Sequence, residues 1–292
     1  MPDVLTISSP GKLNLALAVG PPDEDGMHPI CSWMATVDLA DELTVTRLPE
    51  DRLSRYAILW HRQARRRSDI NWPITRDLAV RAHLALENLL DRRLPVQMRL
   101  EKRIPVGGGM GGGSSNAAAM LHAVNQLFEL NLPPGELARI GGGLGSDVPF
   151  FVRGGHAIVE GLGDVIDPLP PRPPLHAVAA FPDFACPTGR VYGAFDETPA
   201  PPLRSQAVRA LATAPRLDPA APFNDLAAAA MRVAPGLRPL LDAVGALAER
   251  PAHVTGSGST VFVLCDDALH AEALAAAIEQ RLELPAVPVR TL

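Results

Sequence analysis

The chain has almost no lysine. Of its 27 lysines and arginines only Lys12 and Lys102 are lysines, while Ala, Pro, Gly and Arg abound. Arginine stands wherever any positive charge will do, so a retained lysine points to a site that wants a compact ammonium rather than a planar fork. Aromatic residues make up only 4% of the chain and the net charge is −5. The one basic run, Arg62, Arg65, Arg66 and Arg67, has no interleaved aromatics, so it reads as a solvated loop and no nucleic-acid partner is expected. Three cysteines, Cys31, Cys186 and Cys265, form no C-x-x-C, which argues against a disulfide framework or zinc site and for reduced thiols. No apolar run reaches membrane-spanning length, and the start MPDVLTISSPGKLN has no signal pattern. A cytoplasmic protein with no membrane partner is expected. The oligomeric state, monomer or weak homodimer, is left open.

Glycine, by contrast, is concentrated. Residues 105–118 read PVGGGMGGGSSNAA, with six glycines in the seven positions 107–113. Val96, Met98 and Leu100 alternate with polar residues before it, a strand signal; Ala117, Met120, Leu121, Val124, Leu127 and Phe128 follow at helical spacing. The stretch is a strand–loop–helix joint, with Ser114, Ser115 or Asn116 available as the helix N-cap. A helix start offers unpaired N–H groups and a positive dipole end, and glycine lets a ligand approach the backbone, so phosphate is the natural guest. A flexible linker is the plainer reading, but linkers seldom sit between a strand and an amphipathic helix. No G-K-[ST] closes the loop, so it is not a P-loop, and its G-x-G-x-x-G (Gly107, Gly109, Gly112) lies far from the N-terminus without the following acidic residue of a dinucleotide fold.

The rest of the chain can be taken in order. Residues 4–19 alternate and read as a strand or hairpin broken at Pro10-Gly11, with Lys12 and Asn14 on one face and Leu13, Leu15 and Leu17 on the other. Strand character returns over 33–45, ending near an acidic turn at Asp38, Asp41 and Glu42. Residues 49–76 look like a polar, irregular surface excursion. Helices are expected over 77–90, 135–140 and 267–282, and within the alanine-rich region 203–251, where Asn224-Asp225 can cap 226–233. Strands are expected at 177–181, 261–265 and 287–290, with a strand and turn over 154–163. A second glycine cluster, GGGLGSDVPFF, sets Asp147 before an apolar run, where capping is the plain role. A third glycine turn is TGSGS at 255–259. Strands and helices mix without strict alternation, which favours α+β. Length and the proline-rich stretches 167–174 and 198–202 suggest two domains, 1–160 and 161–292.

Three of these motifs coincide with a known pattern. PGKLNLALAV, PVGGGMGGGSSNAA and TGSGSTVF resemble, in order and spacing, the three motifs of the GHMP kinase superfamily. More narrowly, GKLNL, DGMH, LGSDVPFFVRGGHA, EGLG and FND make the chain similar to the kinases of 4-diphosphocytidyl-2-C-methyl-D-erythritol, over roughly residues 8–265. The resemblance implies an α+β two-domain fold, with a ribosomal protein S5-like N-terminal domain and a ferredoxin-like C-terminal domain. It also implies transfer of the ATP γ-phosphoryl group to the 2-hydroxyl of a small molecule in non-mevalonate isoprenoid precursor biosynthesis. Carried over residue by residue, Lys12 and Asp147 match the catalytic pair. Pro105, Val106, Gly107, Gly108, Gly109, Met110, Gly111, Gly112, Gly113, Ser114 and Ser115 match the ATP phosphate loop. Asn14, His28, Thr188, Tyr192 and Gly256 match substrate-side positions, His28 beside the cytidine and Tyr192 stacked on its base. Gly256 to Ser259 form the third motif. Mg2+ is expected with ATP, Ser115 being a candidate ligand. The chain departs from the pattern at Met27, where the family has an aromatic, and at Asp77, where it has Asn near the adenine.

On this reading Asp147 is the base for a hindered tertiary alcohol, and Lys12 keeps it ionised while stabilising developing charge. Two other readings compete: another GHMP alcohol kinase, acting on a sugar, homoserine or a mevalonate-type alcohol, and a non-catalytic nucleotide-binding module. Retention of both Lys12 and Asp147 argues against the second.

Overall fold

In the computed structural model, residues 3–292 are described. The chain packs as two compact units that do not follow one another along it. The first comprises Met1–Gly11, Leu39–Val106 and Gly111–Gly154, and the second Lys12–Asp38, Gly107–Met110 and Gly155–Leu292. The interleaving follows from two long strands, β1 (Val4–Val19) and β2 (Ile30–Arg47), each of which contributes one half to each unit. The division thus differs from two consecutive blocks meeting near residue 160.

The first unit orders its strands β3-β4-β2-β1, with β3 at Arg55–Trp60 and β4 at Val96–Lys102. β4 is antiparallel to β2, with Glu42 opposite Glu101, and parallel to β3. Three expectations fail here. The excursion 49–76 contains β3, whose alternating Tyr56, Ile58 and Trp60 pair with β4. Pro10-Gly11 does not break β1; Pro10 is tolerated because this half of the strand has a neighbour on one side only. Nor do Asp41 and Glu42 form a turn, since β2 runs straight through them. Helices α1 (Leu78–Leu90), α2 (Gly112–Leu127), α3 (Pro134–Gly142) and α4 (Val148–Arg153) complete the unit. Asp77 caps α1 by accepting from the N–H of Ala79. α2 buries Ala117, Ala118, Met120, Leu121, Ala123, Val124 and Leu127, packing against both α1 and α4. A helix apolar nearly all round must lie inside its unit.

In the second unit β5 (His156–Gly161) is antiparallel to β2 and to β6 (Val165–Pro168), and β8 (Phe223–Asn224) is parallel to β1 at Ala16 and Leu17. A separate four-stranded antiparallel sheet has the order β11-β7-β10-β9, from β7 (His176–Ala180), β9 (His253–Val254), β10 (Val261–Cys265) and β11 (Ala286–Arg290). Helices α5 (Thr188–Phe195), α6 (Ser205–Thr213), α7 (Ala227–Val233), α8 (Leu237–Ala248) and α9 (Ala268–Leu282) surround these strands in sequence. Val178, Ala180, Val261 and Val263 of the sheet share a core with Leu274 and Ile278 of α9. The architecture is mixed α+β.

Candidate active site

Within the second unit, the strand motif and two of the glycine stretches lock together. Lys12 and Asn14 share a face of β1, as the two-residue spacing requires, and are 3% and 2% exposed. Burying two polar side chains is tolerable only with partners. The Lys12 ammonium donates to the Asn14 amide oxygen, and the Asn14 NH2 donates to Ser32 Oγ at 2.8 Å. Ser32 Oγ in turn donates to the Ala16 carbonyl at 2.8 Å. Thr255 Oγ1 accepts from the Asn14 backbone N–H at 3.0 Å. Thus the amide of Asn14 is oriented from both ends, with its oxygen turned to Lys12.

The loop segment Gly107–Met110 is pinned by its backbone. The N–H of Lys12 donates to Met110 O at 2.9 Å and that of Thr260 to Gly108 O at 3.1 Å. Met110 itself is buried, 1% exposed, so it anchors the loop as a core residue. Gly109 has φ +80°, and a Cβ there would stand 2.3 Å from Thr255 O and 3.0 Å from Gly258 O. Gly256, with φ +58°, would place a Cβ 3.0 Å from Gly109 O and 3.1 Å from the Lys12 ammonium. Only glycine allows this approach at either position. Asn224 braces the third turn from below, donating to the carbonyls of Val254 (2.9 Å) and Gly256 (2.8 Å).

A ring cluster lies at the other end of β1. His28 Nδ1 donates to the Gly20 carbonyl at 2.8 Å, and its Nε2 faces Asp196 Oδ1 at 2.8 Å. Its ring lies 5.4 Å from that of Tyr192, tilted, and 5.5 Å from that of Phe195, edge-on. Met27 beside it is 52% exposed. α5 joins the two clusters: Thr188 meets Ser257 of the third glycine turn at 3.0 Å, and Tyr192, one turn on, meets His28. Asn14, Thr188, Tyr192, His28 and Gly256 are therefore parts of one connected framework.

The first unit holds the remaining candidates. α2 begins at Gly112 with Gly111 as its N-cap, at φ +70° and with no side-chain cap. The expectation of a Ser114, Ser115 or Asn116 cap is thus corrected, because the left-handed turn at Gly111 starts the helix earlier and those residues already lie inside it. A helix start without a side-chain cap leaves first-turn N–H groups to a ligand. Ser115 and Asn116 are buried, and Ser9 Oγ lies 3.0 Å from Ser115 Oγ. Asp147 is the N-cap residue of α4, and its side chain does not cap the helix. Asp77 engages both oxygens, one with Ala79 N–H and one with the Trp72 indole at 3.3 Å.

Among the described residues no three acidic, histidine or cysteine side chains gather as a metal site. Nor is any helix among those residues long and apolar enough to cross a membrane. The sequence reading missed Ser32 and Thr255 as partners of Asn14. It also assigned Asn224-Asp225 to capping a helix over 226–233; α7 has no side-chain cap, and Asn224 instead accepts from the Leu226 N–H (2.9 Å) in the turn before the helix, in addition to bracing the third glycine turn.

Comparison with known proteins agrees with this framework. Family descriptions match in two places, GHMP kinases N terminal domain over residues 77–155 and GHMP kinases C terminal over 207–284. The 4-diphosphocytidyl-2-C-methyl-D-erythritol kinase of Moorella thermoacetica is 36% identical over 95% of this chain and 96% of its own length. That of Thermobifida fusca is 38% identical over 95% and 92%. A crystal structure of 4-(cytidine 5'-diphospho)-2C-methyl-D-erythritol kinase superposes with a TM-score of 0.78 at 32% identity, covering 99% of this chain and 100% of that one. Homoserine kinase from Cytophaga hutchinsonii shares the fold, with a TM-score of 0.72 at 17% identity. The chain belongs to the GHMP kinases and, within them, to the family of 4-diphosphocytidyl-2-C-methyl-D-erythritol kinases.

Proposed function

We propose that the protein transfers the γ-phosphoryl group of ATP to the 2-hydroxyl of 4-diphosphocytidyl-2-C-methyl-D-erythritol, a step of non-mevalonate isoprenoid precursor synthesis. The observation that carries this reading is the convergence of Lys12, Gly109 and Gly256, one residue from each family motif, at contact distance. Phosphoryl transfer asks mainly for positioning and charge neutralisation. The N–H groups of the glycine stretch and the first turn of α2 suit phosphate oxygens.

Asp147 takes the proton of the acceptor hydroxyl as its oxygen bonds to the γ-phosphorus and the bridge to the β-phosphate breaks, releasing ADP. Such a base contributes about 10²–10⁴-fold. The Lys12 ammonium, aimed by Asn14, stabilises the negative charge that grows on the reacting oxygens. Ser115 is the candidate that would hold a nucleotide-bound Mg2+, which would supply neutralisation of phosphate charge there. His28 and Tyr192 receive the cytosine, and Asn14, Thr188 and Gly256 line the alcohol side.

One feature favours a second reading, in which a different alcohol is the acceptor. Met27 is exposed where the family has an aromatic, so the base is offered a soft, polarizable face in place of a second ring. An assay of ADP release against a panel of alcohols decides between them. Release that depends on the cytidine diphosphate compound supports the proposal. Equal or better rates with uncapped methylerythritol phosphate, homoserine or mevalonate would transfer the assignment, and release independent of any alcohol would end it.

A further inference from the structure

The second lysine, Lys102, has no part in the proposed chemistry, yet it sits in a buried and fully hydrogen-bonded polar cluster of the first unit. At its centre is Asp41, 0% exposed at its side chain. Oδ1 accepts from the backbone N–H groups of Arg103 (2.6 Å) and Ile104 (2.8 Å). Oδ2 accepts from the Lys102 ammonium (2.6 Å) and from the Asn116 NH2 (3.0 Å). A carboxylate offers about four lone-pair sites, and all are used. The cluster continues through Asn116, whose amide oxygen lies 2.8 Å from Ser9 Oγ.

The placement of these donors is informative. Arg103 and Ile104 are the last residues before the glycine-rich loop, and Asn116 is the first after Ser115 at its far end. One buried carboxylate therefore grips both ends of a segment that glycine leaves otherwise free to move. The two arms also touch directly: a Cβ on Gly112 would stand 3.0 Å from Ile104 Cγ2. A buried ion pair is a poor source of net stability, since apolar residues of like volume do as well. Its use in fixing register is better founded, and the directional bonds of Asp41 are of that kind. Lysine suits the spot because one point charge fills one lone pair and leaves the others to the backbone and Asn116.

We infer that Asp41, with Lys102 and Asn116, is a positioning group that fixes the separation of the two ends of the glycine-rich loop and so sets its fit to a nucleotide's phosphates. This rests on the reading of that loop as the ATP cradle. Asn116→Ala is the informative variant, because it cuts the link to the far end and leaves the ion pair in place. Its affinity for a non-hydrolysable ATP analogue is measured by calorimetry, beside KM for ATP, KM for the alcohol and kcat. Analogue affinity and KM for ATP should each worsen about tenfold, the worth of a hydrogen bond to a charged group. KM for the alcohol and kcat at saturating ATP should stay within about twofold. Asp41→Asn, where it folds, should give the same pattern more strongly; where it does not, Ser9→Ala serves as the second variant, with the same direction and a smaller change. Wild-type binding of the analogue with unchanged variant binding would overturn the inference alone, as would equal worsening for ATP and alcohol. A wild-type protein that binds no analogue would overturn the kinase reading and this inference together.

Discussion

The two lysines lie in unlike settings, though each is almost wholly buried. Lys102, in the first unit, bonds to a carboxylate with no exposure, and that carboxylate spends its remaining capacity on backbone and amide donors. Within the second unit Lys12 meets a neutral amide, that of Asn14, and the bare backbone of Gly256. One ammonium is built into a clasp that shapes a loop. The other is set beside Gly256, where a side chain would crowd it. A retained lysine thus stands in two different settings, one tied to the buried Asp41 carboxylate and one set against the Asn14 amide and the backbone of Gly256.

The largest expected consequence of this contrast is at Lys12. Lys12→Arg keeps the charge but not the size, and a guanidinium has no room where even a Gly256 Cβ would come within 3.1 Å of the ammonium. Steady-state turnover should fall by about 10²-fold or more, the scale for losing a charge-stabilising donor, while the melting temperature changes little. Near-normal turnover would dissolve the distinction between the lysines. Lys102→Met reverses the pattern: it strands Asp41, and unfolding in denaturant should show a loss of about 3–5 kcal/mol. A stable Lys102→Met protein would show that the clasp is not held by its charge.

Gly109→Ala should cost about 1–3 kcal/mol in backbone strain, plus the clash with Thr255 O, and raise KM for ATP more than KM for the alcohol. The smallest effect is on pH dependence. In the first unit burial pushes the His83 imidazole below its ordinary value, against the opposing pull of the Leu94 carbonyl and Glu87. Burial does the same to His156 and His253 in the second. Unfolding lets these rings take up protons, so stability is fully present above about pH 6.5 and declines as pH falls below it. His83→Gln should flatten part of that decline in denaturation curves at pH 7.5 and 5.5; an unchanged slope would remove His83 from the account.

How much of this was legible in the sequence depends on how far each signal reaches. Strand β4 and helices α1 and α3 show as local periodicity, and they lie where their patterns put them. The three glycine motifs were readable as separate turns and by resemblance. That Gly109 packs on Thr255 while Gly256 packs on Gly109 and Lys12 was not, because those contacts join distant positions and glycine has no side chain to betray its neighbour. Asp41 was misread as a turn residue: its acidic neighbours look solvated, and nothing local shows that its donors come from residues 102–104 and 116. β3 was hidden for a similar reason, its arginine-rich flank masking a short alternating core.

The central claim is that this protein activates an alcohol for phosphoryl transfer, with Asp147 as base. The most direct measurement is single-turnover phosphorylation of the cytidine diphosphate compound by Asp147→Asn beside the wild type, with analogue binding recorded on the same samples. The account predicts nucleotide affinity within about twofold of wild type and a rate lower by at least about 10²-fold. A variant that binds nucleotide and turns over at a near-normal rate would contradict it.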